Sequence, residues 1–328
     1  MTKRASVLVL PHPQGERMFK PWVEDIIAAI GVRHDLRFFD RSKPISAQFA
    51  GVDVVIDHGG AGGTREMMDA AALIPVKLWQ VHGTGLDHFD LDYCRAKGIP
   101  VANTPGIFSA IALAECAVMF ILMLARKYPV AQDNLRNLKL YDPLGMELWG
   151  LKLGIVGFGA SGRELARRVI PFGMEISAVD IRDIGDTERK EFALRFAAKP
   201  DQLDKVVSES DVLSLHLHLN DQTRHIIDAR RLGMMKRGAL LINVARGALV
   251  DEAALIKALV ERHLGGAGLD VFEHEPPDLD SLLFHLSNVI ATPHISGATS
   301  GTSRQRAKCT ADNVDRIAAG LEPLYLVD

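Results

Sequence analysis

Three residues in the second half of the chain have side chains suited to acid–base chemistry on a small acid. Arg246, Glu275 and His294 each follow a short apolar run. A guanidinium can hold a carboxylate through two hydrogen bonds, and an imidazole can exchange a proton near neutral pH. A carboxylate beside the imidazole would favour its protonated form and fix its orientation. Each residue alone has an ordinary structural explanation, so the hypothesis requires all three to lie together.

The apolar runs before these residues predict buried strands. Segments 239–244, 267–272 and 289–292 are mostly apolar rather than alternating, which is typical of parallel strands covered on both faces. Similar runs alternate with helical patterns along most of the chain, and this predicts an α/β fold with parallel sheets. Ligands of such sheets bind beyond the carboxyl ends of the strands, so the three side chains could form one cluster there.

A glycine-rich segment carries the strongest local signal. Gly157, Gly159 and Gly162 form a G-x-G-x-x-G pattern between an apolar strand pattern and a helical pattern. The first glycine permits a tight turn, the second lets the backbone approach a pyrophosphate, and the third lets helix and strand pack closely. Ala160 and Ser161 would then begin a helix whose N–H groups face the anion. The segment predicts a dinucleotide site.

Asp180 indicates which dinucleotide is bound. It lies 18 residues beyond Gly162, at the end of the next predicted strand, close to the spacing of about 20 expected for the acidic residue of this motif. A carboxylate there accepts hydrogen bonds from the adenosine ribose and repels a 2′-phosphate, which predicts NAD rather than NADP. Arg182 follows closely and could favour the phosphate, so NADP stays open.

Composition excludes several other classes of function. The 328 residues carry a net charge of −3 and are 48% hydrophobic, as in an ordinary globular protein of about two domains, and no basic face for nucleic acid is expected. Three widely spaced cysteines predict neither a metal site nor a redox pair, and they suit a reducing compartment. The longest apolar stretch, 116–125, is far shorter than the ~20 residues of a membrane span. Without a signal-peptide core, we expect a cytoplasmic protein with no membrane partner.

The chain resembles the D-isomer-specific 2-hydroxyacid dehydrogenase family over nearly its whole length. The similarity is densest from Trp149 to Gly297, and its specific stretches are 98–106, the glycine-rich turn, 240–251, 269–276 and 292–297. It implies two Rossmann-like or flavodoxin-like parallel-sheet α/β domains with the active site in the cleft between them. An NAD-binding domain of residues 103–295 would be inserted into a substrate domain made of residues 1–102 and 296–328.

The resemblance also implies a reaction and roles for named residues. The chain would be an NAD-dependent oxidoreductase that reduces a small 2-oxo acid such as hydroxypyruvate or glyoxylate, and a homodimer. Arg246 would bind the substrate carboxylate, His294 would be the acid/base, and Glu275 would be its partner. The other substrate contacts would come from Gly59, Gly60, Thr84 and Gly85. The cofactor contacts would be Gly157, Gly159, Ala160, Ser161, Gly162, Asp180, Leu217, His218, Thr223, Val244, Ala245, Asp270, Ser296 and Gly297, with Asp270 facing the nicotinamide end.

Two departures from the family pattern and one segment near the N-terminus leave details open. His218 stands where most relatives have proline, and it could contact the cofactor or be solvated; we favour solvation. The loop 59–63 is unusually rich in glycine, so it could be mobile or could admit a bulkier substrate. In segment 11–19, Arg17, Met18 or Phe19 could contact the substrate, although surface packing is favoured.

Other functions on the same fold remain alternatives. Formate dehydrogenases of this fold have glutamine where Glu275 stands, so Glu275 argues against formate oxidation. The core motifs do not exclude phosphite oxidation. An NAD-sensing corepressor would keep the same three residues but usually carries extra tails, whereas this chain ends soon after its last predicted helix.

Overall fold

The computed structural model describes residues 3–10, 12 and 20–327, and the chain divides into two compact units. The first unit runs to Phe108 and resumes at Thr299, and the second unit is Ser109–Ala298. The first unit is therefore discontinuous in the chain. The boundaries predicted from the sequence lie after residues 102 and 295.

The first unit is built on a five-stranded parallel sheet in the order β2-β1-β3-β4-β5. This is the order of a flavodoxin-like sheet. Its strands are β1 (Ser6–Leu10), β2 (Asp35–Phe38), β3 (Val54–His58), β4 (Leu78–His82) and β5 (Val101–Ala102). Its helices are α1 (Lys20–Ile30), α2 (Ile45–Phe49), α3 (Arg65–Leu73), α4 (Leu91–Ala96) and α12 (Ser300–Ala318).

Alternate side chains of these strands enter two separate cores. Val54 and Ile56 of β3 pack with buried residues of α1 and α12, including Ile26 and Val314. Val55 points to the other face and packs with residues of α2, α3 and α4. Because both faces are covered, the central strands are mostly apolar rather than alternating, as the sequence predicted.

The second unit contains a seven-stranded parallel sheet in the order β12-β11-β10-β9-β6-β7-β8. Its strands are β6 (Lys152–Val156), β7 (Glu175–Val179), β8 (Leu194–Ala198), β9 (Val212–Leu215), β10 (Leu240–Asn243), β11 (Gly266–Leu269) and β12 (Val289–Ala291). Its helices are α5 (Ala110–Ala125), α6 (Tyr128–Arg136), α7 (Ala160–Val169), α8 (Asp186–Glu191), α9 (Leu203–Glu209), α10 (Ala229–Met234) and α11 (Glu252–Val260). The strand order reverses between β6 and β9, which is where Rossmann sheets bind dinucleotides.

Helix α5 packs directly on β11 because that strand is rich in glycine. A Cβ at Gly268 would lie 2.5 Å from the Cβ of Phe120, and one at Gly266 would lie 2.9 Å from a methyl carbon of Leu124. The helix is buried by its close fit to the sheet and to α7. Among the described residues, no helix is long and apolar enough to cross a membrane.

The predicted architecture of two parallel-sheet α/β domains is confirmed, and the missed strands are short or lie at sheet edges. β2 reads Asp-Leu-Arg-Phe and is mostly exposed, so it lacks the apolar run of a buried strand. β8 at the far edge of the second sheet was missed in the same way. β5 has only two residues.

Candidate active site

The side chains of His294 and Glu275 meet beyond the carboxyl ends of β12 and β11. The imidazole Nδ1 of His294 lies 2.7 Å from the Oε2 of Glu275. The other carboxylate oxygen of Glu275 accepts the backbone N–H of Phe272 at 3.1 Å. The His294 side chain is 47% exposed, so the imidazole is held on one edge and remains accessible to a ligand.

The pKa of Glu275 lies below its ordinary value. Burial raises the pKa of this carboxyl group, but the hydrogen bond and charge of His294, the Phe272 N–H and the charge of Arg246 together lower it. Glu275 is therefore a carboxylate at neutral pH.

Asp270 fixes the loop that carries His294. Its buried carboxylate accepts the Thr292 hydroxyl at 2.5 Å and the N–H groups of Ile295 at 2.8 Å and Ser296 at 2.7 Å. Its carbonyl oxygen accepts the N–H of His294 at 2.8 Å. His294 itself has a φ of +54°, a left-handed conformation that non-glycine residues seldom adopt. The Asp270 contacts hold this conformation and so set the position of the imidazole.

Arg246 follows β10, the neighbour of β11 in the sheet. The amide group of Asn243 donates to the Arg246 carbonyl at 2.8 Å and accepts the Ala245 N–H at 3.1 Å, which shapes the turn. A Cβ at Gly247 would lie 1.9 Å from the carbonyl group of Phe272, so only glycine lets this turn approach the Glu275 loop. Arg246, Glu275 and His294 thus follow three adjacent strands.

The glycine-rich turn between β6 and α7 has one face closed by the protein and one face open. A Cβ at Gly157 would lie 2.5 Å from the carbonyl oxygen of His216, and one at Gly162 would lie 2.3 Å from the carbonyl oxygen of Gly157. A Cβ at Gly159 would meet nothing within 4 Å. No side chain of the described residues caps the N-terminus of α7, whose N–H groups are thus available to an anion. The turn fits the pyrophosphate of a dinucleotide.

Asp180 and Arg182 lie beside this turn. The Asp180 carboxylate accepts the N–H groups of Phe158 at 2.5 Å and Arg182 at 2.9 Å. The guanidinium of Arg182 is paired with both oxygens of Glu188, each at 2.7 Å. The arginine that could have favoured a 2′-phosphate is therefore held by a carboxylate.

His216 supports the turn, and the sequence analysis did not single it out. Its Nδ1 lies 3.1 Å from the Ser161 hydroxyl and its Nε2 lies 2.9 Å from the Ser214 hydroxyl. Burial lowers the pKa of His216 to about 3, so the ring is neutral. His216 anchors the first turn of α7. In the sequence, the only sign of this role is that His216 directly precedes Leu217, a predicted cofactor contact.

The remaining predicted cofactor residues also follow the carboxyl ends of strands. Val244 and Ala245 are buried after β10, and Gly297 adjoins Ser296 after β12. After β9, Leu217 is half-buried and His218 is exposed. The Thr223 hydroxyl donates to the His218 carbonyl at 2.8 Å and closes that loop.

The four predicted substrate residues of the first unit follow adjacent strands. Gly59 and Gly60 come after β3 and have φ values of +72° and +75°, a conformation that favours glycine. Thr84 and Gly85 come after β4, and the Thr84 hydroxyl donates to the carbonyl of Thr104 at 3.0 Å. Of segment 11–19, only His12 is described, so Arg17, Met18 and Phe19 lie outside the described residues.

Buried Asp57 shapes the glycine-rich loop that follows Gly60. Its carboxylate accepts the N–H groups of Gly62 at 2.9 Å and Gly63 at 3.1 Å, and the indole N–H of Trp79 at 3.2 Å. Burial raises the pKa of Asp57 to about 6. The loop is therefore held by backbone hydrogen bonds at its far end.

Comparison with known proteins decides the family. The model of the D-isomer specific 2-hydroxyacid dehydrogenase NAD-binding domain matches residues 118–296. The chain belongs to the D-isomer-specific 2-hydroxyacid dehydrogenase family. It is similar to the (S)-sulfolactate dehydrogenase of Chromohalobacter salexigens, with 36% identity over 303 residues that cover 92% of this chain and 96% of that protein.

Two further similar proteins support this family membership. The hydroxypyruvate reductase of Thermotoga maritima is 37% identical over 266 residues, which cover 77% of this chain and 81% of that protein. The crystal structure of a glyoxylate reductase from Paecilomyes thermophila is 29% identical, with a TM-score of 0.82 and coverage of 100% of this chain and 99% of that one. The chain is thus an NAD-dependent oxidoreductase of the 2-hydroxyacid dehydrogenase family that acts on a CH–OH group, and these predictions are confirmed.

The glycine turn offers a test of cofactor binding that separates it from folding. The methyl group of Gly159→Ala enters the open face, so the melting temperature should stay unchanged while NADH binds about tenfold more weakly or worse. The methyl group of Gly162→Ala meets backbone instead, which should cost about 1–3 kcal/mol of stability. Thermal melting and NADH fluorescence titration measure both effects. Tight NADH binding by Gly159→Ala would contradict the assignment of the open face.

Proposed function

We propose that this chain uses NADH to reduce a short 2-oxo acid to the 2-hydroxy acid, and catalyses the reverse oxidation. Hydroxypyruvate and glyoxylate are representative substrates, supported by relatives that are named as reductases of these acids. The observation that carries the proposal is the 2.7 Å contact between His294 and Glu275. Arg246 adds a positive charge close enough to lower the pKa of the same carboxylate.

Each of these three side chains has a separate task in the proposed reaction. The Arg246 guanidinium binds the substrate carboxylate and polarises the adjacent C2 carbonyl. His294, held at Nδ1, donates a proton from Nε2 to the C2 oxygen as negative charge develops there. NADH bound at the turn of Gly157, Gly159 and Gly162 would supply the hydride that C2 accepts. In the reverse direction, the neutral imidazole takes the proton of the C2 hydroxyl.

Glu275 acts through His294 in this scheme. Its carboxylate orients the imidazole through the 2.7 Å contact with Nδ1. The loops that carry Gly59, Gly60, Thr84 and Gly85 are proposed to contact the substrate carboxylate. Asp270 is proposed to act chiefly by positioning the loop after β12.

Two variants separate the role of His294 in proton transfer from the role of Glu275 beside it. His294→Ala should lose about 100- to 10,000-fold in kcat for 2-oxo acid reduction and keep its NADH affinity. Glu275→Gln keeps a hydrogen-bond acceptor for the imidazole but loses the charge beside it. It should lower kcat by a smaller factor, about 10- to 100-fold, and leave the NADH affinity unchanged. Normal turnover by His294→Ala would show that the acid/base is misassigned.

The cofactor preference follows from Asp180 and Glu188. A 2′-phosphate would meet the Asp180 carboxylate, while Arg182 is occupied by Glu188. We expect kcat/KM to favour NADH over NADPH by about 100-fold or more. Glu188→Gln weakens the ion pair with Arg182 and should reduce the preference in kcat/KM for NADH over NADPH. Steady-state kinetics with both cofactors measures it, and a preference of the wild type for NADPH would refute this reading of Asp180.

We also propose that the chain forms a homodimer through its second unit. The segment between α6 and β6 carries large exposed apolar side chains, since Leu138 is 87%, Leu144 85% and Trp149 79% exposed. An apolar surface of this kind usually marks an interface. Sedimentation velocity should give a dimer that Leu144→Asp dissociates; a monomeric wild type would contradict the proposal.

The cysteines support a cytoplasmic location, which we also propose. Cys94, Cys116 and Cys309 are free, and burial raises the pKa of Cys94 and Cys116 to about 12. Thiols of this kind are unreactive and suit a reducing compartment. Fractionation of cells that express the chain would test the location, and recovery outside the cytoplasm would contradict it.

A further inference from the structure

Three polar side chains of helix α12, Arg306, Thr310 and Asn313, contact β4 and the loop that follows it; we call this row the polar stripe. Residues 306, 310 and 313 share one helical face, and residues 80, 82 and 84 share one side of the extended chain. The contacts run in order from one end to the other: Asn313 Nδ2 to Gln80 Oε1 at 2.7 Å, Thr310 Oγ1 to His82 Nδ1 at 2.9 Å, and Arg306 to Thr84 Oγ1 at 3.2 Å. The stripe therefore ends with a guanidinium beyond the carboxyl end of β4.

Aromatic side chains gather around this end of the stripe. His58 and His82 are register partners at the ends of β3 and β4, and their ring centroids are 5.7 Å apart. The Trp22 ring of α1 lies 5.9 Å from the His58 ring and 6.2 Å from the His82 ring. The guanidinium carbon of Arg306 lies 5.6 Å from the centre of the Trp22 ring. These four residues form what we call the Arg306 cluster.

Within the cluster, Arg306 supplies the positive charge and the two histidines are neutral. Burial, with smaller contributions from neighbouring charges, lowers the pKa of His58 to about 3 and places the pKa of His82 well below its ordinary value. Neutral imidazoles can offer an N–H to a ligand without adding charge. Arg306 is the member that would attract an anion.

His82 has hydrogen-bonding capacity that the described residues do not use. The ring is fully buried, its Nδ1 contacts Thr310, and its Nε2 has no hydrogen-bond partner in the part of the chain that the structure describes. Buried polar atoms are nearly always paired. An unpaired ring nitrogen close to a guanidinium is typical of a ligand-binding site rather than of a packed core.

We propose that Arg306, with the imidazoles of His58 and His82, binds a second anionic group of the substrate. This inference rests on the proposed reduction of 2-oxo acids and specifies their class: short acids with a carboxylate, sulfonate or phosphate at the end remote from C1. Arg306 donates directly to Thr84, in a loop predicted to hold the first carboxylate. The two anionic groups must therefore be separated by few bonds, as in acids of three to five carbons.

Pairs of substrates that differ only in the remote group test this directly. Oxaloacetate is compared with 2-oxobutyrate, 2-oxoglutarate with 2-oxopentanoate, and 3-sulfo-2-oxopropanoate and 3-phosphohydroxypyruvate with pyruvate and hydroxypyruvate. The wild type should favour the dianion of at least one pair by about tenfold or more in kcat/KM. The pair with the largest ratio tells which anionic group is recognised.

Substitution of Arg306 should remove the preference and spare the rest of the reaction. Arg306→Met should lower kcat/KM for the favoured dianion by about 10- to 100-fold and for its monoanionic counterpart by less than about threefold. Arg306→Gln keeps a donor for Thr84 but loses the charge. It should show the same losses in kcat/KM as Arg306→Met, and it can be measured even if the methionine variant folds poorly. Arg304→Met removes an exposed charge from the same helix and should change neither value.

Each outcome bears on one of the two proposals. A wild type that reduces monoanions but favours no dianion would overturn the second-anion site and leave the proposed function intact. Equal losses on both members of a pair in Arg306→Gln would also overturn it, because the guanidinium would then serve only the Thr84 loop. A protein that reduces no 2-oxo acid with NADH would overturn the proposed function and this inference with it.

Discussion

The buried carboxylate of Asp270 is the constraint on which the site depends. A buried carboxylate is costly unless its oxygens accept hydrogen bonds, and here the donors are one hydroxyl and two N–H groups from the segment 292–296. Satisfying Asp270 therefore determines the path of the chain after β12. That path puts His294 in a left-handed conformation and brings its ring onto Glu275. The sheet needs none of this for its own hydrogen bonds, so the contacts serve the site.

The remaining parts of the site are positioned by the order of the strands. Arg246, Glu275 and His294 follow β10, β11 and β12, which are adjacent. The glycine turn follows β6, at the point where the strand order reverses. Close approaches at Gly247 and Gly162 bring the loops and α7 nearer than a side chain would allow. The fold thus brings the proposed proton donor, the guanidinium proposed to bind the carboxylate and the glycine turn to one edge of a single sheet.

The sequence predicted those features that depend on local patterns. Buried parallel strands are continuous apolar runs, and the glycine turn has a fixed spacing, so both could be recognised without the structure. Polar residues at strand ends could be placed at one edge, and the resemblance to the family implied that Glu275 is the partner of His294, although no local pattern shows their contact. The assigned roles of the site residues stay predictions, including contact of Asp270 with the nicotinamide.

What the sequence did not predict depends on contacts between distant residues or on exposed strands. Arg306 meets Thr84 across more than 200 residues of chain, and no local pattern connects them. Asp57 bonds to backbone N–H groups of a loop, which a sequence does not display. β2 was missed because an exposed edge strand has no apolar period to reveal it.

The kcat of Asp270→Asn for 2-oxo acid reduction, at saturating NADH and substrate, tests the account most directly. The substitution keeps the size of the side chain but replaces one acceptor oxygen by an NH₂ group, which cannot accept the N–H groups of the 292–296 segment. If Asp270 sets the position of His294, kcat should fall by about 100-fold, because small displacements of a catalytic group are costly. A kcat equal to that of the wild type would contradict the claim that this carboxylate positions the proton donor.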